Sequence, residues 1–503
     1  MAITSLSFLF LCSGALLLFH CSKKGWLRIT TLGAVSCVFL LSQGISWQPG
    51  RWRLMSGTEF SQTLIAQLAG FTLLAAFSLW GFLALRLAGR SRPMFLGTVI
   101  LTLILFFVFR HYDAIGILPL PFGAPQITVG LAYILFRVLQ LVIDCRNMPA
   151  MVLPSFGRYL YHLFAFYTFL AGPIIKYQEH EKQLLAVRDG DMDYADGYKQ
   201  YSRVLSGLLK IAILGDMATG GSTHLLHGYV LTSMHPDFFW SASLAIALGM
   251  CVFFLGVYVN FSGYMDIVCG IAGLFLLKIP ENFQEPLSAH NAFDFWKRWH
   301  ITLSTWFREY LFIPVLVAIE RRRILGAKRL ACVGALYFLT FFLLGMWHGP
   351  NLTFILVGIS LGATITANYL WQEFLTRRLT KKGYGTLQKS PVYQMAAGAT
   401  TLACMAFSLS FWWIPEEHWH MFYGLGQTLI LLGSVAILWI LSLGMTILAP
   451  GLIDLGNKVD GYMANMADSR FFLSAAFLIA KIIIVFFLYS TQSDLPKVFY
   501  QEF

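Results

Sequence analysis

The chain consists of a long succession of apolar runs, each close to the length that an α-helix needs to cross a bilayer. Examples are residues 61–88, 330–347 and 471–490. A spanning helix needs about 20 apolar residues, whereas the strands of an outer-membrane barrel would alternate apolar and polar residues. Only 12% of the residues are charged, against about 25% in a typical soluble protein. The sequence therefore predicts an all-α, polytopic integral membrane protein with roughly a dozen helices.

The basic residues predict how these helices are oriented. The net charge is +11, and in a membrane protein such an excess concentrates in cytoplasmic loops, so it indicates topology rather than nucleic-acid binding. Basic clusters at 320–329 and 377–382 are therefore expected inside. The apolar run 5–21 is followed, not preceded, by basic residues, which favours an uncleaved first span over a secretory signal. We expect both chain termini outside.

Several segments in the middle of the chain also have the composition of spans. We expect spans at 127–143 and 156–175, the second ending at a helix-breaking Leu-Ala-Gly-Pro-Ile sequence. Residues 238–260 and 261–277 form two successive apolar runs, and glycines that recur every seven residues there allow close helix packing. Asp266 lies in this part of the chain and is a candidate for a buried carboxylate.

Neither the cysteines nor the acidic and histidine residues suggest a metal site. The eight cysteines lie mostly inside apolar runs and include no Cys-x-x-Cys pair, so we interpret them as small core residues. Glu416, Glu417, His418 and His420 form a polar cluster, but their spacing fits no metal-binding motif. An outer polar loop explains that cluster better.

The residues 291–314, which read NAFDFWKRWHITLSTWFREYLFIP, carry an unusual density of charge for a membrane protein. Each ionisable group near lipid is costly to desolvate, so such groups tend to have a function. The alternative is an amphipathic helix at the membrane interface, with a belt of tryptophans and a solvated charged face. Both interpretations remain open from this stretch alone.

The local pattern in this stretch predicts the start of a helix. Asn291 can cap it, and Asp294 follows at the spacing of a capping box. Asp294 and Arg298 are four residues apart and can form an ion pair. If the helix continues, Trp296 and His300 share one face with Leu303 and Phe307.

A second histidine, His348, lies in the sequence Leu-Gly-Met-Trp-His-Gly-Pro at the end of an apolar run. Glycine and proline break the helix there, and non-helical backbone at membrane depth requires a protein-buried or water-filled cavity. Histidine is the side chain whose ordinary pKa lies nearest neutrality, so it is suited to exchanging protons. The alternative is a structural histidine in an interfacial aromatic belt.

The string FWKRWHITLSTWFREYLFIP followed by GMWHG resembles the membrane-bound O-acyltransferase family. It is most similar to the bacterial branch that acetylates alginate and other exopolysaccharides and also contains D-alanyl transferases of teichoic acid. Supporting matches lie at 171–174, 260–266 and 279–283. The resemblance runs from about Pro119 onward and is strongest over 260–350.

The resemblance implies a fold, a catalytic residue and a division of the chain. It implies helices around a central re-entrant, funnel-lined core, with His348 as the general base and His300 as its functional neighbour. The chain then divides into N-terminal transmembrane helices (1–118), an acyltransferase core (119–490) and an extracytoplasmic aromatic tail (491–503). We take the charged, amide and tryptophan side chains of the matched motifs as candidate substrate-binding residues: Trp299, Arg298, Lys297, Trp306, Arg308, Glu309, Trp347, Asp266 and Asn260.

The resemblance also implies a reaction and its partners. An acyl group, acetyl being the expected one, would pass from a cytoplasmic thioester of coenzyme A or a carrier protein toward a cell-envelope polysaccharide across the bacterial inner membrane. No bound cofactor, metal or nucleic acid is implied, and the surroundings are membrane lipids. An extracytoplasmic acyltransferase is the expected partner protein, with Tyr500 in the terminal motif as a relay, although Val498 departs from that motif. D-alanyl transfer is the enzymatic alternative, and a transporter or flippase is the non-enzymatic one.

Overall fold

The computed structural model describes residues 6–22, 24–44, 57–109, 130–148, 150–215, 239–321, 328–349, 351–414, 425–469 and 478–485. Within these ranges the regular structure is helical, apart from one antiparallel bridge between Phe283 and Trp299. Nine of the described helical segments are long and apolar enough to cross a membrane. The prediction of an all-α, polytopic membrane protein is therefore confirmed.

The described residues divide into two compact units, which we treat separately. The first unit takes in the described residues up to 208 together with 265–280. Its helices are α1 (Leu6–Cys21), α2 (Gly25–Gly44), α3 (Gly57–Ala88), α4 (Arg92–Phe109), α5 (Leu131–Asn147), α6 (Phe156–Phe164), α7 (Phe166–Phe169), α8 (Tyr177–Asp189) and α9 (Tyr194–Leu209).

The expected span at 156–175 does not form. The nine-residue α6 is about 14 Å long at 1.5 Å per residue, which is too short to cross a hydrocarbon core of about 30 Å. The chain breaks at Ala165, and after α7 it continues without helix to Lys176 through the predicted Leu170–Ile174 stop. The fully buried Arg137 of α5 explains how the break is tolerated. Its guanidinium donates to backbone carbonyls of α6 and α7, those of His162 (2.9 Å), Leu163 (2.6 Å) and Thr168.

The second unit takes in the described residues from 209 to 264 and from 281 to 485. Its helices are α10 (Phe239–Leu274), α11 (Ala292–Arg298), α12 (Ile301–Phe307), α13 (Ile313–Arg321), α14 (Arg329–Met346), α15 (Leu352–Leu387), α16 (Pro391–Trp413) and α17 (Leu425–Ser469). The last residues of α10, from Met265, belong to the first unit.

Two features of the longer helices matter for the site. The apolar runs 238–260 and 261–277 form one continuous helix, α10, because no residue between them interrupts its hydrogen bonding. Helices α14 and α15 approach closely through glycines. A Cβ atom at Gly345 would lie 2.4 Å from the Cα atom of Gly358, so only glycine fits there. This close approach fixes the end of α14 immediately before His348.

Candidate active site

The start of α11 follows the predicted capping pattern. The side-chain oxygen of Asn291 accepts a hydrogen bond from the backbone N–H of Asp294 at 3.0 Å. The Asp294 carboxylate accepts one from the backbone N–H of His290, also at 3.0 Å, and pairs with Arg298 at 3.1 Å. The predictions of an Asn291 cap and an Asp294–Arg298 ion pair are confirmed.

The predicted continuous helix through His300 is wrong. Helix α11 ends at Arg298, and α12 begins at Ile301. Between them, Trp299 is extended and forms the bridge with Phe283, and His300 adopts a left-handed backbone conformation with φ 44° and ψ 51°. Trp296 and His300 therefore do not continue one helical face.

The interruption is stabilised from outside the helices by Asn282. Its side-chain oxygen accepts from the backbone N–H (3.0 Å) and the hydroxyl (2.7 Å) of Thr302, and its backbone carbonyl accepts from Ile301 N–H at 3.0 Å. Gln284 N–H donates to the Arg298 carbonyl at 2.9 Å. The segment before α11 thus supplies partners for backbone groups on both sides of His300.

His300 contacts an aromatic ring of α10, and further rings pack on the adjacent Trp299. The imidazole is buried and lies edge-on to Phe261 of α10, with ring centroids 5.0 Å apart. The adjacent Trp299 stacks on Phe254 at 5.7 Å and on Phe295 at 5.3 Å. This packing holds the side chains of the interruption against α10.

His348 lies at the second interruption, where α14 ends at Met346 and α15 begins at Leu352, as the Gly-Pro sequence predicts. Its ring lies 4.6 Å from Trp347, 5.7 Å from Phe354 of α15 and 5.5 Å from Trp412 of α16. The residue is buried, with 8% of its surface exposed. Three helices of the second unit therefore enclose this imidazole.

A cavity of about 740 Å³ lies in the same unit. Polar and charged side chains line much of it: His290, Asn291, Asp294, Lys297, Arg298, Ser304, Thr305, Arg308, Thr340, Gln372, Gln388, Tyr393 and Gln394. Trp296, Phe341, Leu344 and Ile365 form an apolar part of the wall. Neither His300 nor His348 lines the cavity, but Ile301 and Leu344 do, one residue after His300 and four residues before His348 in the chain.

The structure brings some of the predicted substrate-binding residues to this cavity and leaves others elsewhere. Lys297, Arg298 and Arg308 line it, whereas Glu309 pairs with Arg308 at 3.7 Å and Trp306 stacks on Tyr310 at 5.2 Å. Trp347 and Trp299 pack beside the two histidines, as described above.

The other predicted residues either do not line the cavity or are not described. Asp266 belongs to the first unit, where it forms a 3.0 Å ion pair with Arg203. Asn260 is buried in α10 of the second unit. Tyr500 and the cluster 416–420 lie outside the described residues, so their roles stay predictions.

Reasoning from the sequence missed several residues of the site. Asn282 fell inside a matched motif without a role, and Gln372 and Gln394 come from helices that the motif does not include. The sequence did contain one sign of the cavity, because Thr340 is a polar residue within an apolar run, four positions before Leu344.

The first unit contains a separate buried polar cluster. The Nδ1 atoms of His162 and His180 are 3.1 Å apart, and the Tyr167 hydroxyl lies 2.5 Å from His180 Nε2. The Tyr161 ring stacks on His180, with centroids 5.4 Å apart. Burial lowers the pKa of His180 to about 3, and the charge of Arg137 acts in the same direction. His180 is therefore a neutral, structural imidazole at physiological pH.

The fold and the site define a polytopic membrane protein with two histidines at helix interruptions and a cavity lined by cations. A model of the membrane-bound O-acyltransferase family matches residues 93–411, which is more than half of the chain. The chain therefore belongs to the membrane-bound O-acyltransferase family and is an O-acyltransferase. Membership favours the enzyme over a transporter or flippase.

Three curated relatives match between 52% and 61% of the chain. It is 27% identical to the teichoic acid D-alanyltransferase of Bacillus subtilis over 61% of this chain and 77% of the relative. It is 26% identical to the probable alginate O-acetylase AlgI of Pseudomonas fluorescens over 57% of this chain and 54% of that protein. It is 29% identical to the peptidoglycan O-acetyltransferase of Helicobacter pylori over 52% of this chain and 47% of that protein. The chain thus spans about half the length of the two acetylating relatives.

Proposed function

We propose that this enzyme moves an acetyl group from a cytoplasmic thioester donor toward a cell-envelope polysaccharide, with His348 as the general base. The observation that carries the proposal is the cavity, which is lined by cations and by Leu344, four residues before His348 in the chain. Two of the relatives described above are named as acetylating enzymes of envelope polymers. We take the proposed acceptor, a cell-envelope polysaccharide, from these names.

The cations of the cavity suit the anionic part of the donor. Coenzyme A and carrier-bound phosphopantetheine both carry phosphate, which Lys and Arg bind. Arg298 is paired with Asp294 at 3.1 Å, whereas Arg308 is paired more loosely with Glu309 at 3.7 Å and has 60% of its side chain exposed, and Lys297 is exposed. We therefore assign phosphate binding mainly to Lys297 and Arg308, with the acyl end of the donor toward Leu344.

The orientation that we propose rests on the ends of α15 and α16. Gln372, Gln388 and Gln394 line the cavity close in sequence to the basic cluster 377–382. The excess of basic residues marks the cytoplasmic side. The cavity would then admit its donor from the cytoplasm, and His348 would lie deeper in the membrane.

The proposed chemistry at His348 is proton transfer at an attacking hydroxyl. A neutral imidazole nitrogen accepts the hydroxyl proton while the oxygen forms a bond to the thioester carbon, and the carbon–sulfur bond then breaks. The imidazolium returns its proton to the departing thiolate, so no net proton is consumed. Thioesters are already activated, so positioning and one base can be sufficient. His300 acts as the functional neighbour of this centre, and Tyr500 is the proposed acceptor for relay to an extracytoplasmic partner.

D-alanyl transfer is the second candidate. The alignment covers 77% of the length of the teichoic acid D-alanyltransferase of Bacillus subtilis. The two candidates share the base and the cavity and differ in the acyl group. Alanine rather than acetate in the released acid would favour the second candidate.

The test is the amount of polymer-bound acyl group in cells that carry His348→Ala, His300→Ala or Tyr500→Phe, with membrane levels of each protein matched. We expect His348→Ala to abolish acylation, and mass analysis of the released acid identifies the group. His20→Ala is the matched control, because His20 Nε2 bonds to the Leu274 carbonyl (2.8 Å) in the first unit. Normal acylation with His348→Ala would refute the proposed base.

A further inference from the structure

The cavity ends before it reaches His348. Its apolar wall includes Trp296 of α11 and Phe341 of α14, whose rings are in contact with centroids 4.8 Å apart. Leu344 of α14 continues the wall, and the next turn carries His348. With the wall as it lies, an acyl group in the cavity has no contact with the imidazole, because His348 does not line the cavity. Transfer therefore requires one of its side chains to move.

Among the wall residues, Trp296 has the chemistry to respond to a donor. The residue is more than nine-tenths buried, and its indole N–H has no hydrogen-bond acceptor among the described residues. A buried N–H without an acceptor is unfavourable, so a movement that gives it an acceptor is favoured. A thioester donor supplies such acceptors, because the thioester and the pantetheine amides all carry carbonyl oxygens.

The main chain of Trp296 is fixed while its ring is not held by hydrogen bonds. Its backbone carbonyl accepts from the Ser304 hydroxyl at 2.8 Å, and α11 is bounded by the Asn291 cap and the Trp299 bridge. Rotation of the side chain can thus open the wall without moving the helix that carries Lys297 and Arg298. The phosphate site and the wall can therefore act independently.

We propose that Trp296 determines which acyl groups reach His348. The indole closes the wall against Phe341 until a carbonyl of the donor accepts its N–H, and the narrow opening then passes a short acyl group and excludes a long one. The closed wall also keeps water from the reacting thioester. This inference rests on the proposed function, because it takes His348 as the base and the cavity as the donor site.

Trp413 provides a matched control. It too is buried with an indole N–H that has no acceptor among the described residues, but it does not line the cavity. Its ring packs against the backbone of Gly249, where a Cβ atom would lie 2.1 Å from the indole, and stacks on Phe253. Trp413→Phe therefore shows the effect of losing a buried indole N–H at a position that does not line the cavity.

The experiment uses membranes that contain the full chain, with acetyl and octanoyl thioesters presented on coenzyme A and, in parallel, on carrier-bound phosphopantetheine. Ester formation and thiol release are measured, and the background of His348→Ala membranes is subtracted. We expect Trp296→Ala to raise the octanoyl-to-acetyl ratio at least tenfold and to release thiol without matching ester. Trp296→Phe keeps the wall but loses the N–H, so the KM for the acetyl donor should rise about fivefold, the equivalent of about 1 kcal/mol for one hydrogen bond.

The outcomes separate the two proposals. If wild type and His348→Ala turn over every donor equally, the proposed function fails. If turnover depends on His348 but Trp296→Ala and Trp296→Phe match wild type in chain-length ratio, hydrolysis and KM, the role of Trp296 is refuted. An equal effect of Trp413→Phe would also refute it. If Trp296→Ala fails to accumulate, Trp296→Leu, which preserves more of the volume, takes its place.

Discussion

Replacing Asn282 with alanine should both destabilise the protein and displace His300. Asn282 is fully buried, and its side-chain oxygen accepts from the N–H and the hydroxyl of Thr302. Alanine removes this acceptor but keeps the backbone carbonyl that binds Ile301 N–H. The substitution therefore weakens one side of the His300 interruption without removing the bridge on the other side.

The expected loss of stability comes from the N–H and the hydroxyl of Thr302, which both lose their acceptor. A buried donor without an acceptor costs about 1–3 kcal/mol. The Thr302 hydroxyl can rotate toward another acceptor, whereas the Thr302 N–H at the start of α12 cannot. The N–H without an acceptor costs about 1–3 kcal/mol and the lost hydroxyl bond about 1 kcal/mol, so we expect Asn282→Ala to lower the free energy of unfolding by about 2–4 kcal/mol. The left-handed backbone of His300 costs about 1–2 kcal/mol for a residue with a Cβ, so weaker support should also let it relax.

The assay combines unfolding of the purified protein in detergent with acyl transfer measured well below the unfolding temperature. Thr302→Val removes only the hydroxyl and should cost about 1 kcal/mol, and Thr302→Ser keeps it and serves as the control. Activity per folded molecule should fall in Asn282→Ala and stay near wild type in Thr302→Ser. A change in stability below about 0.5 kcal/mol in Asn282→Ala, the range typical of surface substitutions, would refute the reasoning. Unchanged activity in a destabilised variant would show that His300 keeps its position without Asn282.

Two further predictions concern single histidines. His300→Gly should be about 0.5–1 kcal/mol more stable than His300→Ala. Glycine adopts positive φ freely, and this gain exceeds the cost of its greater unfolded-state entropy. Equal or reversed unfolding midpoints would contradict backbone strain at φ 44°. For His180, the folded pKa of about 3 lies below the unfolded value of about 6.5, so its contribution to stability is complete above pH 6.5 and is lost as pH falls. Unfolding between pH 6 and 4.5 should therefore show a slope about 1.4 kcal/mol per pH unit steeper in wild type than in His180→Gln, and identical slopes would refute this assignment.

The parts of the fold that the sequence predicts correctly depend on local chemistry. Hydrophobic runs predict helices because each must satisfy its backbone hydrogen bonds internally in lipid. The Asn291 cap and the Asp294–Arg298 pair lie within four residues in the chain, and the break at His348 follows from the adjacent glycine and proline. Such features depend on the identity and spacing of near neighbours.

The parts that the sequence does not predict depend on distant partners. The helix break at His300 depends on Asn282, which precedes Thr302 by 20 residues. The break in the segment 156–175 depends on Arg137, whose guanidinium replaces hydrogen bonds that a continuous helix would make. Helix periodicity gives no sign of either, because the residues that break the helices look helix-compatible themselves.

The charged side chains that line the cavity and the two histidines occupy different places in the second unit. The cations and amides line the cavity, whereas His300 and His348 contact aromatic rings at interruptions between consecutive helices. If the cavity holds the donor by its phosphate, as proposed, binding energy from this remote end serves to position the thioester relative to the proposed base. The same separation explains why a wall residue such as Trp296 can control transfer without contact to the phosphate. On this view, substitutions of the cavity cations should act mainly on donor affinity, and substitutions at the wall mainly on which acyl group is transferred.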